Sequence, residues 1–262
     1  MSSLPYYTLS FFSAVSLFST WSSYSKIAFI LIVVIYAVFP LLDEIFSLDE
    51  RNPTPEERKK LERDDAFFRM ALYTSMILSW ALHIKFLIVF STLEITWRDI
   101  VPLFAIIFTA LTRYTGQFAV AHEVMHKPGR FYRILGTLHM IKMYYMHFTH
   151  SHLFIHHQLV STPLDPASSY KGQTVYSFIY SSVVYSLKGV YEDEKKNGKA
   201  FFNNCAVWSV GGTLCYMTLI YAIFGLQPLI IHSIMALGAI CYLEGANYIE
   251  HYGLQRKKLP NG

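Results

Sequence analysis

The chain has 262 residues, 53% of them hydrophobic and only 15% charged, where an ordinary soluble domain carries roughly 25% charged residues. That deficit of charge points away from a water-soluble domain and toward a membrane protein. The net charge of +4 is no sign of a nucleic-acid partner, because the basic residues fall in loops between apolar segments.

Six segments are each near the roughly 20 residues that a bilayer-spanning helix needs, at about residues 6–23, 26–46, 68–91, 99–118, 201–225 and 227–248. The first has no basic stretch before it and a second apolar run follows at once, so it reads as a retained helix and not a cleaved signal peptide. Between the second and third, Pro53 and Pro55 lead into Glu56-Glu57-Arg58-Lys59-Lys60, which predicts a short solvated helix with charges paired at i,i+4. The third span is interrupted by His83 and Lys85, and the fourth carries Arg113 close enough to one end to snorkel. His83 and His232 stand alone in their spans and are expected to pack or hydrogen-bond between helices. Residues 131–149 are expected as a helix partly immersed in the membrane interface, and 173–196 as a surface helix stopped at Asn197-Gly198. Cys205, Cys215 and Cys241 sit singly in apolar segments and form no CxxC pair, so they are expected to be small core residues.

Charge placement predicts the topology. Segments 47–69, 119–200 and 252–262 hold 18 of the 22 Lys and Arg residues; Lys26, Lys85, Arg98 and Arg113 lie elsewhere. With six spans these three segments share one side, which the positive-inside rule assigns to the cytoplasm together with both termini. The chain, 1–262, thus reads as a single all-α integral-membrane domain with a histidine-rich cytoplasmic segment at 119–200.

The histidines fall in groups on that face. His122-Glu123-Val124-Met125-His126 places two imidazoles at i and i+4 on one helix face, where both reach one metal. His152-Leu153-Phe154-Ile155-His156-His157 repeats the spacing, and Glu250-His251-Tyr252-Gly253 closes the last apolar run. Together these hold more imidazoles than one tetrahedral zinc can use, which points to a two-metal centre. Glu244, Asn247 and His251 recur at i, i+3 and i+7 and share a helix face. A carboxylate inside an apolar span is expected to pair with a ligating histidine or with the metal. Glu123, Asp165 and Glu250 join Glu244 and Asn247 as candidates to hold the ligand imidazoles. His139, His147 and His150, near the second box, are candidate substitute ligands.

The chain resembles the membrane-bound alkane 1-monooxygenases, a family that includes xylene monooxygenase and lies near the integral-membrane fatty acid desaturases and hydroxylases. The resemblance runs from about residue 35 to 258. It is carried by Phe39-Pro40-Leu41-Leu42-Asp43, Asp49-Glu50-Arg51-Asn52-Pro53, His122 through Lys127, His147-Phe148 and His152 through His157. It continues in Ser161-Thr162-Pro163-Leu164-Asp165-Pro166-Ala167-Ser168 and in Leu243-Glu244 with Asn247-Tyr248-Ile249-Glu250-His251-Tyr252-Gly253-Leu254. The resemblance implies six helices with a non-haem di-iron centre at their cytoplasmic ends and His122, His126, His152, His156, His157 and His251 as ligands. It implies O2 as co-substrate, a rubredoxin-like electron donor, and hydroxylation of the terminal carbon of an alkane or fatty acyl chain, with membrane lipid around the protein. The family usually has Glu where Ser151 stands and Gly where Ile155 stands. Relatives also continue for about a hundred residues beyond the HYG segment and bring a third histidine box, whereas this sequence ends at Gly262. Three expectations follow from that: a fragment, a second chain that supplies the box, or a scaffold without the chemistry. Six imidazoles give about three to each of two irons, so the 262 residues alone are expected to bind iron without hydroxylating substrate.

Two other readings stay open at this point. One is a degenerate hydroxylase fold kept as a structural membrane subunit of a larger complex. The other is an intramembrane zinc protease built on HEVMH, which leaves His152, His156, His157 and His251 unexplained.

Overall fold

The computed structural model describes residues 30, 34–46, 54–57, 59, 65–96 and 99–257. All regular structure among these residues is helical. The chain divides into two compact units, Met1–Val120 and Ala121–Gly262. The expected span at 6–23 and the Asp49–Pro53 motif lie outside the described residues, as does the start of the span at 26–46.

In the first unit, a π-helical turn Val34–Val38 leads into α1, Phe39–Phe46. The short helix expected after Pro53 begins at a reciprocal capping box. Thr54 N–H donates to Glu57 Oε2 at 2.8 Å and Glu57 N–H to Thr54 Oγ1 at 3.2 Å. The long helices are α2, Asp65–Thr92, and α3, Ile100–His126, which runs on into the second unit. Within the first unit polar contacts join α2 to α3. Gln117 Nε2 donates to Ser75 Oγ at 3.1 Å, and Tyr114 Oη lies 2.8 Å from His83 Nδ1. His83, itself buried, therefore makes the interhelical contact expected of it, with the rings of Trp80 and Tyr114 edge-on to its own.

In the second unit, Gly129 at φ 114° turns the chain from α3 into α4, Arg130–Met140. Here the structure differs from the single helix expected over 131–149. A 3-10 turn, Ile141–Met143, ends at Tyr144 in the left-handed region, φ 57°, and a new helix starts at Phe148. A tyrosine at positive φ cannot continue an α-helix, so the segment folds back on itself. Phe131, Ile134 and Leu138 stay exposed on α4 while Gly136, His139 and Met140 are buried. The next helical stretch, α5, is α-helical at Phe148–His150, π-helical at Ser151–His156 and α-helical again at His157–Leu159.

Thr174, whose Oγ1 accepts the Ser177 N–H at 3.3 Å, caps α6, Val175–Lys196. That helix ends at Asn197 and Gly198, as the sequence predicts. It is more than a surface helix, because Phe178, Ser182, Ser186, Val190 and Glu194, spaced four apart, bury one stripe. Asn204 caps α7, Cys205–Phe224, and Gly225 at φ 90° joins it to α8, Leu226–His251. Helices α6, α7 and α8 pack against one another. On α8 the residues Pro228, Ile231, His232, Met235, Ala239 and Glu244 face inward, while Ile230, Ile234, Leu237 and Tyr242 face out.

Three helical stretches among the described residues are long and apolar enough to cross a membrane: Arg69–Thr92, Cys205–Phe224 and Leu226–His251. They coincide with the third, fifth and sixth expected spans. The outward faces of α7 and α8 are as apolar as their inward ones, the mark of helices that meet lipid. This also corrects the reading of the cysteines. Cys205, Cys215 and Cys241 are all exposed, because apolar neighbours in sequence do not distinguish a core face from a lipid face.

Candidate metal centre

The end of α3 carries the first histidine pair and α5 the second group, His152 and His156 in its π-helical part and His157 directly after it, with all members in the second unit. In an α-helix His152 and His157 would not align. In the π register the His157 N–H bonds back to the His152 carbonyl, which brings His157 Nε2 to 3.0 Å from His152 Nε2. The i,i+4 spacing read from the sequence misses this turn, a kind that recurs at functional sites.

Four Nε2 atoms converge. His122 lies 2.7 Å from His152, His126 lies 3.2 Å from His122 and 3.1 Å from His152, and His157 completes the set. Two imidazole nitrogens about 2.1 Å from one ion lie roughly 3.0–3.4 Å apart; the separations of 3.0, 3.1 and 3.2 Å fit a shared metal, and the 2.7 Å between His122 and His152 is shorter. The ring of His156 stacks on that of His152 at 5.3 Å and meets the ring of His251 edge-on at 5.1 Å. His156 and His251 thus form a second pair beside the first cluster, with His157 near both groups, its ring 4.9 Å from that of His126 and 5.9 Å from that of His156.

Protonation suits ligation. Burial, then the neighbouring imidazoles, lowers His122 to about 4 and His152 to about 2. Burial also lowers His126 and His157. Neutral imidazoles carry the lone pair a metal needs. Two outer contacts fix the rings. His156 Nδ1 lies 2.9 Å from Asp165 Oδ2, and His251 Nδ1 lies 2.9 Å from the Asn247 carbonyl. Donation from Nδ1–H in both leaves Nε2 free to ligate.

Asp165 is itself held. Burial would raise its carboxyl, but His156, the Ser168 hydroxyl at 2.6 Å and the Ala167 N–H at 3.1 Å outweigh that and hold it below the usual carboxylate range. Ser168 Oγ also accepts the N–H of Ser161, which sits at φ 61°. The loop is sewn to the end of α8: Arg256 N–H donates to the Ser161 carbonyl, Gly253 N–H to Ser169 O, and Ser169 Oγ to Tyr248 O. The TPLDPAS and NYIEHYG segments, distant in sequence, are therefore two sides of one brace behind His156 and His251.

Glu244 is 1% exposed and accepts from Tyr145 Oη at 2.7 Å, Ser182 Oγ at 2.6 Å and Asn247 Nδ2 at 3.3 Å. The Tyr145 and Ser182 bonds tie α8 to the turn before α5 and to α6. These hydrogen bonds come from Tyr145, Ser182 and Asn247 and not from a ligand imidazole. Glu123 forms an i,i+4 ion pair with Lys127 at 3.2 Å, and Glu250 is exposed. The three candidate substitute ligands bond elsewhere. Lys142 Nζ lies 3.1 Å from His139 Nε2, Ser186 Oγ lies 3.4 Å from His147 Nε2, and Asp193 Oδ2 lies 2.9 Å from His150 Nε2. Lys142 is also buried, which pushes its amine well down; nothing in the sequence marks it as other than a surface residue.

Residues 95–261 match the family model described as fatty acid desaturase. The chain is similar to alkane 1-monooxygenase of Acinetobacter baylyi, 33% identical over 236 residues, covering 88% of this chain and 57% of that protein. It is similar to alkane 1-monooxygenase of Pseudomonas putida, 31% identical over 241 residues, with 89% and 58% covered. The hydroxylase component of xylene/toluene monooxygenase of Pseudomonas putida matches over 147 residues at 31% identity, covering 52% of this chain and 39% of that protein. The chain thus spans somewhat more than half the length of the alkane 1-monooxygenases it matches. These matches bear out the resemblance drawn from the histidine, TPLDPAS and NYIEHYG segments.

Proposed function

The chain belongs to the fatty acid desaturase family, and on that premise we propose that it is a non-haem di-iron monooxygenase that hydroxylates the terminal carbon of an alkane or fatty acyl chain. The observation that carries this reading is the convergence of the imidazole Nε2 atoms, with His122 and His152 2.7 Å apart. The donor set fits iron, which accepts imidazole ligands and keeps open positions for other partners. His122, His126 and His152 would hold one ion, His156 and His251 the other, with His157 between them.

When bound, the irons supply the activation of O2 that puts one oxygen atom into a C–H bond. The chain's own residues do the rest. Asp165 and the Asn247 carbonyl hold the protons on His156 and His251 Nδ1, so both rings present Nε2. The burial of His122 and His152 keeps them neutral. Glu244 fixes the helix that carries His251. A rubredoxin-like protein would deliver electrons at the cytoplasmic face. Six spans, with the histidine boxes and both termini cytoplasmic, are supported by the basic residues gathered in segments 47–69, 119–200 and 252–262. The zinc-protease alternative needs Glu123 as a base at the metal, and the Glu123–Lys127 ion pair speaks against it.

The assay supplies membranes that contain the chain with O2, a reduced rubredoxin and either octane or a fatty acid. It is run with the chain alone and with a second chain that carries a further histidine box. Terminal alcohol in either arm, abolished by His156→Ala, is the expected result. Iron-loaded protein that forms no terminal alcohol in both arms would overturn the proposal.

A further inference from the structure

A second group of metal-ligating atoms meets away from the histidine cluster. His150, on α5, lies between two carboxylates at the end of α6: its Nε2 is 2.9 Å from Asp193 Oδ2 and its Nδ1 is 3.7 Å from Glu194 Oε1. Glu194 is 7% exposed, and its Oε2 accepts the backbone N–H of Cys205, the first residue of α7, at 3.2 Å. One ligand atom each from His150, Glu194 and Cys205 lies within 4.8 Å of the others. Asn204 fixes where the segments meet: its Nδ2 donates to the Tyr191 carbonyl of α6 at 3.0 Å and its Oδ1 accepts the Ala206 N–H of α7 at 2.9 Å.

We propose that His150 Nδ1, a Glu194 carboxylate oxygen and Cys205 Sγ form a second site for a divalent cation of the zinc type, with water in the fourth position. The site shares no ligand with the histidine cluster, and it goes beyond the proposed hydroxylase reading without resting on it.

Three features carry the assignment. First, His150 Nε2 lies at hydrogen-bond distance from Asp193 while its Nδ1 lies 3.7 Å from Glu194 Oε1, too far for a hydrogen bond and near the spacing of two ligands on one metal. Zinc holds nitrogen and oxygen ligands at about 2.0–2.2 Å, and in tetrahedral geometry these lie roughly 3.4 Å apart, close to the 3.7 Å found. The Asp193–His150–metal order is the usual outer-carboxylate arrangement that orients a ligating imidazole. Second, Cys205 is the first residue of α7 and its backbone N–H is bound by Glu194, so thiol and carboxylate lie side by side and the metal takes the place of the thiol proton. Thiolate and carboxylate together balance a dication, and the thiol proton leaves to solvent on binding. Third, a thiolate–imidazole–carboxylate set suits zinc and not magnesium or calcium, which take oxygen ligands. Cys205 is exposed at the first residue of α7.

The test uses the purified full chain carrying Cys215→Ser and Cys241→Ser, so that Cys205 is the one thiol, loaded with Co2+. A thiolate on cobalt gives a near-ultraviolet sulfur-to-metal charge-transfer band that an all-imidazole cluster cannot produce. The band is expected in this background and should persist when His122→Ala or His152→Ala is added. It should vanish with Cys205→Ser, and Asp193→Asn should weaken cobalt binding at this site about 10–100-fold. No band at saturating cobalt in the folded protein, or a band that survives Cys205→Ser, overturns the proposal and leaves His150 as a bridge between two carboxylates. If the band forms while the histidine cluster takes up no metal, this site stands and the hydroxylase reading fails.

Discussion

At the scale of single residues, the histidine boxes are legible because ligand spacing on a helix is a local property. His122 and His126 at i and i+4 end with Nε2 atoms 3.2 Å apart. Asp165 was a candidate only through the segment around it, and the structure gives it a definite task on His156 Nδ1. Asp165→Asn keeps the shape but weakens the partner that fixes the His156 tautomer. Iron affinity, measured by competition with a chelator, should fall about 10–100-fold; an unchanged affinity would remove Asp165 from the account. His147 gives a pH prediction. Burial lowers it from 6.5 to about 4, so the folded state keeps it neutral while the unfolded chain takes up a proton below 6.5. The unfolded state then binds more protons between these values, and stability falls as pH falls from 6.5 to about 4. A shift of that size corresponds to about 3 kcal/mol. His147→Gln should flatten this part of the pH dependence of thermal denaturation in detergent, and an identical slope in both proteins would contradict the assignment.

At the scale of elements, the apolar runs predicted at 68–91, 201–225 and 227–248 match helices Asp65–Thr92, Cys205–Phe224 and Leu226–His251 within a few residues. Length and apolar composition determine a span, and both are visible in sequence. The π register of Ser151–His156 was not legible, because a shift from i→i−4 to i→i−5 bonding changes no residue type. The break at Tyr144 was hidden for a related reason: its positive φ is imposed by packing, and tyrosine has no preference for it. Close helix approach is equally silent in the sequence. Gly136 on α4 faces α3 so closely that an added Cβ would meet Met125 Cβ at 2.9 Å and the Ala121 carbonyl at 3.1 Å. Both atoms belong to the turns that bear His122 and His126. Gly136→Ala should therefore cost about 1–3 kcal/mol through overpacking and loosen the first histidine pair. A variant with wild-type melting temperature and metal content would show that the two helices are not in contact there.

At the scale of the whole molecule, topology rests on charge placement. Cys205 opens α7 and His251 ends α8, while Gly225 joins the two helices. If both helices span the bilayer, the metal centre and the 197–204 connection lie on one side and Gly225 on the other. Single cysteines introduced at positions 198 and 225, in a background without Cys205, Cys215 and Cys241, should react with an impermeant reagent from opposite faces. Labelling of both from one face would contradict the paired spans.

The central claim is that six histidines drawn from three separate segments form one iron centre. Metal analysis of the protein purified from membranes tests it most directly. The account predicts up to two irons per chain, most of which is lost in His126→Ala and in His156→Ala, whether or not a zinc ion is also present at Cys205. Protein that carries no iron, or whose iron is unchanged in both variants, would contradict it.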